Sequence, residues 1–174
     1  MAVITNTFVE DTSATVTDNI NFLSPLGFRF IMNRAPNLEY FCQAAALPSI
    51  SMNEILQPNP VGALPRFGDR ITYEPFNLRF RVDEDMNNYL EIHNWLISIG
   101  HPEKLAQFND VPEKLSDGSI LILTSNSNPH IRVAFEDMFP LSLTPLQFDV
   151  TQTDIEYLEA EVVFRYRKFS IEKL

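Results

Sequence analysis

Hydrophobic and polar residues alternate with period two along several stretches of the chain, and each stretch predicts a strand with one face on a core and one face polar. Phe28, Phe30 and Met32 alternate with Arg29, Ile31 and Asn33. Glu39 to Ala45 reads as a second strand, ended by Leu47-Pro48. Phe76, Leu78, Phe80 and Val82 alternate with Asn77, Arg79 and Arg81. Ser119 to Leu123 and Ile131 to Phe135 flank a predicted loop, Ser125 to Pro129. Leu158, Ala160, Val162, Phe164 and Tyr166 alternate with Glu159, Glu161, Val163, Arg165 and Arg167.

One segment follows a different period. From Met86, the stripe falls at Tyr89, Leu90, His93, Leu96 and Ile97, with Ile92, Trp95 and Ile99 widening it. That spacing predicts a helix over 85–99. Asp83-Glu84-Asp85 supplies N-cap candidates and favourable charge at the positive end of the dipole. Gly100 and Pro102 supply the stop. Ser49 to Arg70 fits neither period. Its Pro58, Pro60, Pro65, Gly62 and Gly68 predict a long loop, yet it carries Ile50, Met52, Ile55, Leu56, Val61, Leu64 and Phe67. Apolar side chains on a loop are costly to leave in water, so this stretch is expected to be buried against a partner. Residues 1–24, rich in Thr, Asn, Asp and Ser, read as an extended N-terminal arm, and 25–174 as a single domain, mainly β with one flanking α-helix.

Composition sharpens this picture through charge. Thirteen Lys and Arg stand against 23 Asp and Glu, a net charge of -10. The acidity is spread over both halves of the chain and is no tail. It opposes nucleic-acid binding by phosphate neutralisation and docking on an anionic membrane. No apolar run is long enough to cross a membrane, so no membrane anchor is expected. Met1 to Asn21 lacks a basic stretch leading into an apolar one, so no export signal is expected either. Cys42, the one cysteine, reads as a small core hydrophobe in a reducing compartment.

Candidate chemistry is sparse. His93, His101 and His130 have no neighbour at metal-ligand spacing, and one Cys makes no zinc site. Gly68-Asp69-Arg70 lacks both phosphate-loop patterns. Asp83-Glu84-Asp85 is explained by capping and lacks the calcium-loop pattern. No catalytic residue, cofactor or metal is expected, and a hydrolase with an unrecognised site is the reading with least support. The polar strand faces say more. Arg79 and Arg81 lie on one side of one strand, Glu159 and Glu161 on one side of another. If those strands are neighbours they form a cross-strand ion-pair face, which is either merely solvated or lines a wet channel.

Three stretches in order resemble the tail tube protein family of contractile-tailed bacteriophages. They are Tyr40-Phe41-Cys42-Gln43-Ala44-Ala45-Ala46-Leu47-Pro48, then Gly68-Asp69-Arg70 opening a strand, then Phe76-Asn77-Leu78-Arg79-Phe80-Arg81-Val82-Asp83-Glu84 followed by Trp95. The sequence departs from the family pattern in its longer N-terminal stretch, in Pro75, in about one extra residue before Phe76, and in Phe76 where the family usually has Trp.

The resemblance implies an antiparallel β-sandwich or barrel with a flanking helix. It implies a homo-hexameric ring whose inner strands join into one barrel, and rings that stack into a virion tail tube. Subunits are made in the host cytoplasm and work with sheath and baseplate proteins, and DNA passes through the lumen without specific binding. On this reading the apolar stretch of 49–70 joins subunits or rings. Glu159 and Glu161 are the leading lumen candidates, with Asp149, Asp154 and Glu156 behind them, and an acidic bore repels phosphates. Arg79 and Arg81 share the candidate face and temper its charge. Two alternatives stay open: a baseplate ring that initiates or caps the tube, and a monomeric β-rich module that recruits a partner through the apolar stretch.

Overall fold

A computed structural model describes residues 22–60, 62–100, 114–151 and 157–174. Among them the period-two stretches become strands that pair antiparallel throughout. The largest sheet runs in the order β1 (Phe28–Met32), β6 (Ser116–Leu123), β7 (Pro129–Leu143), β8 (Glu159–Arg165), β5 (Phe76–Arg81), β2 (Cys42–Ala45), with β9 (Lys168–Lys173) also on β7. β7 makes two layers out of this sheet. Its first part pairs with β6 on one side and β9 on the other; its last part, from Phe139, pairs with β8.

The bend falls at Asp137, which has φ 56° and lies where the β6–β7 register slips between Ser116 and Gly118. Side chains hold it. Asp117 Oδ1 accepts the Asp137 N–H at 3.1 Å, and Arg167 reaches Glu136 at 2.7 Å and Asp137 at 3.2 Å. Hydrogen bonds from Arg167 and Lys168 hold the Glu136 carboxyl below the usual carboxylate range. An αL residue and a bulge are a common way to turn a strand from one layer into another.

The core lies between the layers and is aromatic. Phe76 meets Phe30 at 5.6 Å and Phe135 at 5.0 Å between ring centres, and Phe164 lies beside Trp95 at 6.1 Å. Phe30, Phe76, Phe80, Phe135 and Phe164 are fully buried, with Leu78, Val133 and Val162 between them. These are the inward residues of the alternating strands, as expected. β1 and β2 do not pair, so the sandwich does not close into a barrel. A groove of about 420 Å³ marks this seam, lined by Phe28, Phe30, Tyr40 and Cys42.

Four elements differ from the sequence expectation. The strand expected from Glu39 begins only at Cys42, because α1 (Pro36–Phe41) precedes it. Pro36 favours a helical first turn, and Leu38 drops into the core. The flanking helix α2 (Asn87–Gly100) starts two residues late. The Asp83-Glu84-Asp85 side chains do not cap it: the Asp83 carboxylate accepts the Glu84 N–H and lies 3.5 Å from the Asn87 side-chain amide. β9 continues the line of β8 along β7 past a bend at Arg167, too soon after β8 to stand out in the sequence. The expected loop Ser49 to Arg70 is a β-hairpin, β3 (Ile50–Asn59) and β4 (Gly62–Tyr73). Its prolines argue for a loop in a sheet interior, but a two-stranded ribbon is all edge and tolerates them. Most of the 1–24 arm, together with His101 and Pro102, lies outside the described residues.

Candidate assembly surfaces

The hairpin is anchored at its base and bare along its length. Tyr73 packs on Phe169 and Tyr166 at 5.7 and 6.1 Å, and the Tyr166 hydroxyl donates to Glu74 O at 2.8 Å. Every described residue from Ile50 to Pro60 is exposed. Pairing is regular except where Asn53 faces Gly68–Arg70, the three residues between the Met52↔Ile71 and Glu54↔Phe67 pairs. Gly68 is required there: a Cβ would fall on the Asn53 carbonyl.

The register sorts the expected contact residues. Ile50, Met52 and Leu56 share a face with their partners Tyr73, Ile71 and Pro65, and with Phe67 opposite Glu54. Phe67 is 88% exposed. Ile55 and Leu64 point to the opposite face, beside Arg66 and Gln57. Val61 lies outside the described residues. The sequence reading missed Ile71 and Tyr73, which extend the apolar face; the signal was an alternation that continues past Arg70. The result is a ribbon with one mainly apolar side that the described part of the chain leaves uncovered.

The second surface is the outer face of the β2-β5-β8-β7 layer. β5 and β8 are neighbours, with Arg79 opposite Glu161 and Arg81 opposite Glu159. The four charges therefore share one exposed face. Arg79 Nε lies 3.7 Å from Glu159 Oε2. Arg81 stacks its guanidinium over Tyr157 at 5.2 Å. Gln43 on β2 bridges the remainder: oriented to satisfy its neighbours, its amide donates to Glu159 and accepts from Arg81. Arg165 continues the same side of β8. The face thus carries three arginines and two glutamates, with Arg79 paired to Glu159 and Arg81 held by Gln43 and Tyr157. Arg167 does not belong to it, since it is spent on the β7 bend.

Asp149 lies off the sheet, between β7 and β8. Its carboxylate accepts the Thr151 hydroxyl at 2.6 Å and the Thr151 N–H at 2.8 Å, which lower its pKa. Asp154 and Glu156 lie outside the described residues. Gln43 and Tyr157 were missed because only the pairing of β2 with β5, and of β5 with β8, brings them to the charges.

Among the described residues, no His, Cys, Asp and Glu cluster is arranged to hold a metal, and no helix is long and apolar enough to cross a membrane. Burial pushes the Cys42 thiol up to about 11, so it is a poor nucleophile at neutral pH.

The fold is shared with chains from contractile injection machinery. The tube-terminating cap of the anti-feeding prophage matches at a TM-score of 0.64 and 17% identity, over 92% of this chain and 99% of that one. The sheath/tube terminator of PVC, an extracellular contractile injection system, matches at 0.61 and 19%, over 88% and 99%. A chain of the PVC sheath–tube complex in the extended state matches at 0.61 and 16%, over 88% and 93%. Comparison with curated proteins gives no match. A family described as phage tail tube protein matches residues 8–172, nearly the whole sequence. The chain belongs to the phage tail tube protein family.

Proposed function

We propose that this chain is a non-enzymatic structural subunit of a virion tail tube. Six copies form a ring, rings stack, and the bore conducts DNA. One observation carries this reading: an anchored hairpin with a mainly apolar face that no described part of its own chain covers. A monomer gains nothing by keeping Ile50, Met52, Leu56 and Phe67 in water, whereas a second copy covering them gains roughly 25 cal/mol per Å² buried.

Ring formation is supported by the layer β2-β5-β8-β7. It has four antiparallel strands, so its two edges run in opposite directions. A β2 edge laid against the next copy's β7 edge continues the antiparallel pattern, and closing the ring removes both exposed edges of this layer. Arg79, Arg81, Glu159 and Glu161 then line the bore. With Arg165 on the same side, the wall is not acidic as Glu159 and Glu161 alone suggest. Passage without sticking then rests on arginines already engaged by carboxylates, Gln43 and Tyr157, and on the overall charge of -10. Sheath and baseplate proteins are the expected partners on the outside and at the end of such a tube.

Electron microscopy of the purified protein tests the proposal. Rings and stacked tubes are expected at high concentration; monodisperse monomers at every concentration overturn it. A second reading, a ring that initiates or caps the tube, is kept because the same fold occurs in a terminating cap. It is chosen if the particle holds about six copies instead of many rings.

A further inference from the structure

The hairpin needs a receiving surface, and the molecule carries one at its far end. Between the start of the described chain and the end of the β1-β6-β7-β9 layer lies a cleft of about 350 Å³. Phe22, Leu23, Ile122 and Ile131 line it, with Lys173 and His130 beside them. Phe22 is fully exposed, and Ile122 and Ile131 are only half-buried although they sit on the inner side of their strands. The described residues leave this row only partly covered.

We infer that this cleft receives the apolar face of the hairpin from a second copy of the chain, with Glu54 of the hairpin paired to Lys173 of the cleft. The inference rests on the tube reading and names the docking site within it. Three observations carry it. First, both surfaces present apolar side chains that the described residues leave exposed or half-exposed, Met52, Leu56 and Phe67 on one and Phe22, Leu23, Ile122 and Ile131 on the other. Second, their charges are complementary. Glu54 lies opposite Phe67 and is the acidic residue on the apolar face; Lys173 is the fixed cation of the cleft; among the described residues neither has an ion pair. Third, they sit at opposite ends of β9. Tyr73, at the base of the hairpin, packs on Phe169, while Lys173 lines the cleft four residues on, about 13 Å along a strand. A protruding patch at one end and a matching cleft at the other make a head-to-tail contact, the kind that propagates into rings or filaments. With a reach of about 30 Å for a ten-residue strand, β3 spans the gap to the next copy.

A charge swap tests the pairing. Glu54→Lys or Lys173→Glu alone is expected to raise the concentration needed for tube assembly about tenfold, and the double swap to restore it. A cross-link tests the contact without relying on charge. In a Cys42→Ser background, Glu54→Cys with Lys173→Cys is expected to give inter-chain dimers and a ladder of higher products on oxidation. Tubes that form without this cross-link, or a double swap that stays defective although folded, overturn the inference while leaving the tube reading intact. A disulfide between Phe8→Cys and Lys173→Cys that closes within one chain puts the protein's own N-terminal segment in the cleft and also overturns it. A wild-type chain that never assembles overturns both readings.

Discussion

At the scale of single residues, the fold depends on a few side chains that hydrophobic patterning leaves silent. Asn88 is fully buried, and it welds the end of β5 to the start of α2. Its amide donates to Arg81 O at 2.8 Å, and its carbonyl accepts from Tyr89 N at 2.8 Å and Asp83 N at 3.3 Å. Asn88→Ala strands these backbone groups and is expected to cost about 3 kcal/mol, since each buried unsatisfied group costs roughly 1–3. At roughly 2–4 °C per kcal/mol for a chain of this size, calorimetry should show a melting temperature lower by about 10 °C.

Two other residues set the alkaline limit. Burial raises Cys42 from 9.0 to about 11 and Tyr166 from 10.0 to about 12, so folding favours their neutral forms. The stability they contribute is complete below about pH 9 and is lost as pH rises toward 11 and 12. Thermal melts across pH 7–12 should fall above pH 9, and Cys42→Ser should remove the earlier part of the decline. Thiol titration at pH 8 should run roughly a hundredfold slower in the native protein than after denaturation, where the thiol regains its ordinary value of 9.0.

At the scale of elements, alternation located β1, β5, β6, β8 and the first part of β7, and helical spacing located α2. The strand residues face the way their period requires, from the buried Phe76, Leu78 and Phe80 to the exposed Arg79 and Arg81, whereas on α2 the buried row is Asn88, Ile92, Trp95 and Ser98, and Leu90 and His93 of the expected stripe are exposed. The misread elements share one cause: their local signals compete with a tertiary demand. α1 interrupts a stretch that looks extended, because Leu38 finds a core site that a strand would not reach. The hairpin looks like a loop, because proline content predicts poorly for a ribbon with two free edges. Gly68 illustrates the second case. It reads as a turn residue, yet it permits close backbone approach to Asn53 inside β4. Gly68→Ala is expected to displace the hairpin beyond this point and abolish ring stacking, while the far-UV spectrum and melting temperature of the remaining fold change little.

At the scale of the whole molecule, the exposed apolar surface dominates. Phe67→Asp removes nothing from the core, so the variant should melt within about 1 °C of the wild type, as expected for a surface change. It should nevertheless fail to form tubes by electron microscopy. Replacing Gln57–Leu64 by Asn-Gly, which shortens the ribbon while closing it with a favoured two-residue turn, should do the same. Equal assembly by either variant and the wild type would show that the hairpin is not the joining element.

The sequence by itself determined the β class, the inward set of aromatic residues, the long amphipathic helix, the acidic balance and the presence of an apolar stretch between Ser49 and Arg70. Each depends on period or composition, which are local or additive properties of the chain. Only the tertiary structure decided which residues act together. The β5–β8 register joined Arg79 and Arg81 to Glu159 and Glu161 and turned an apparently acidic face into a mixed one. The β3–β4 register separated Ile50, Met52, Leu56 and Phe67 from Ile55 and Leu64. Strand pairing carries this information because a one-residue slip sends a side chain to the other face, and the partner that fixes the register lies far along the chain.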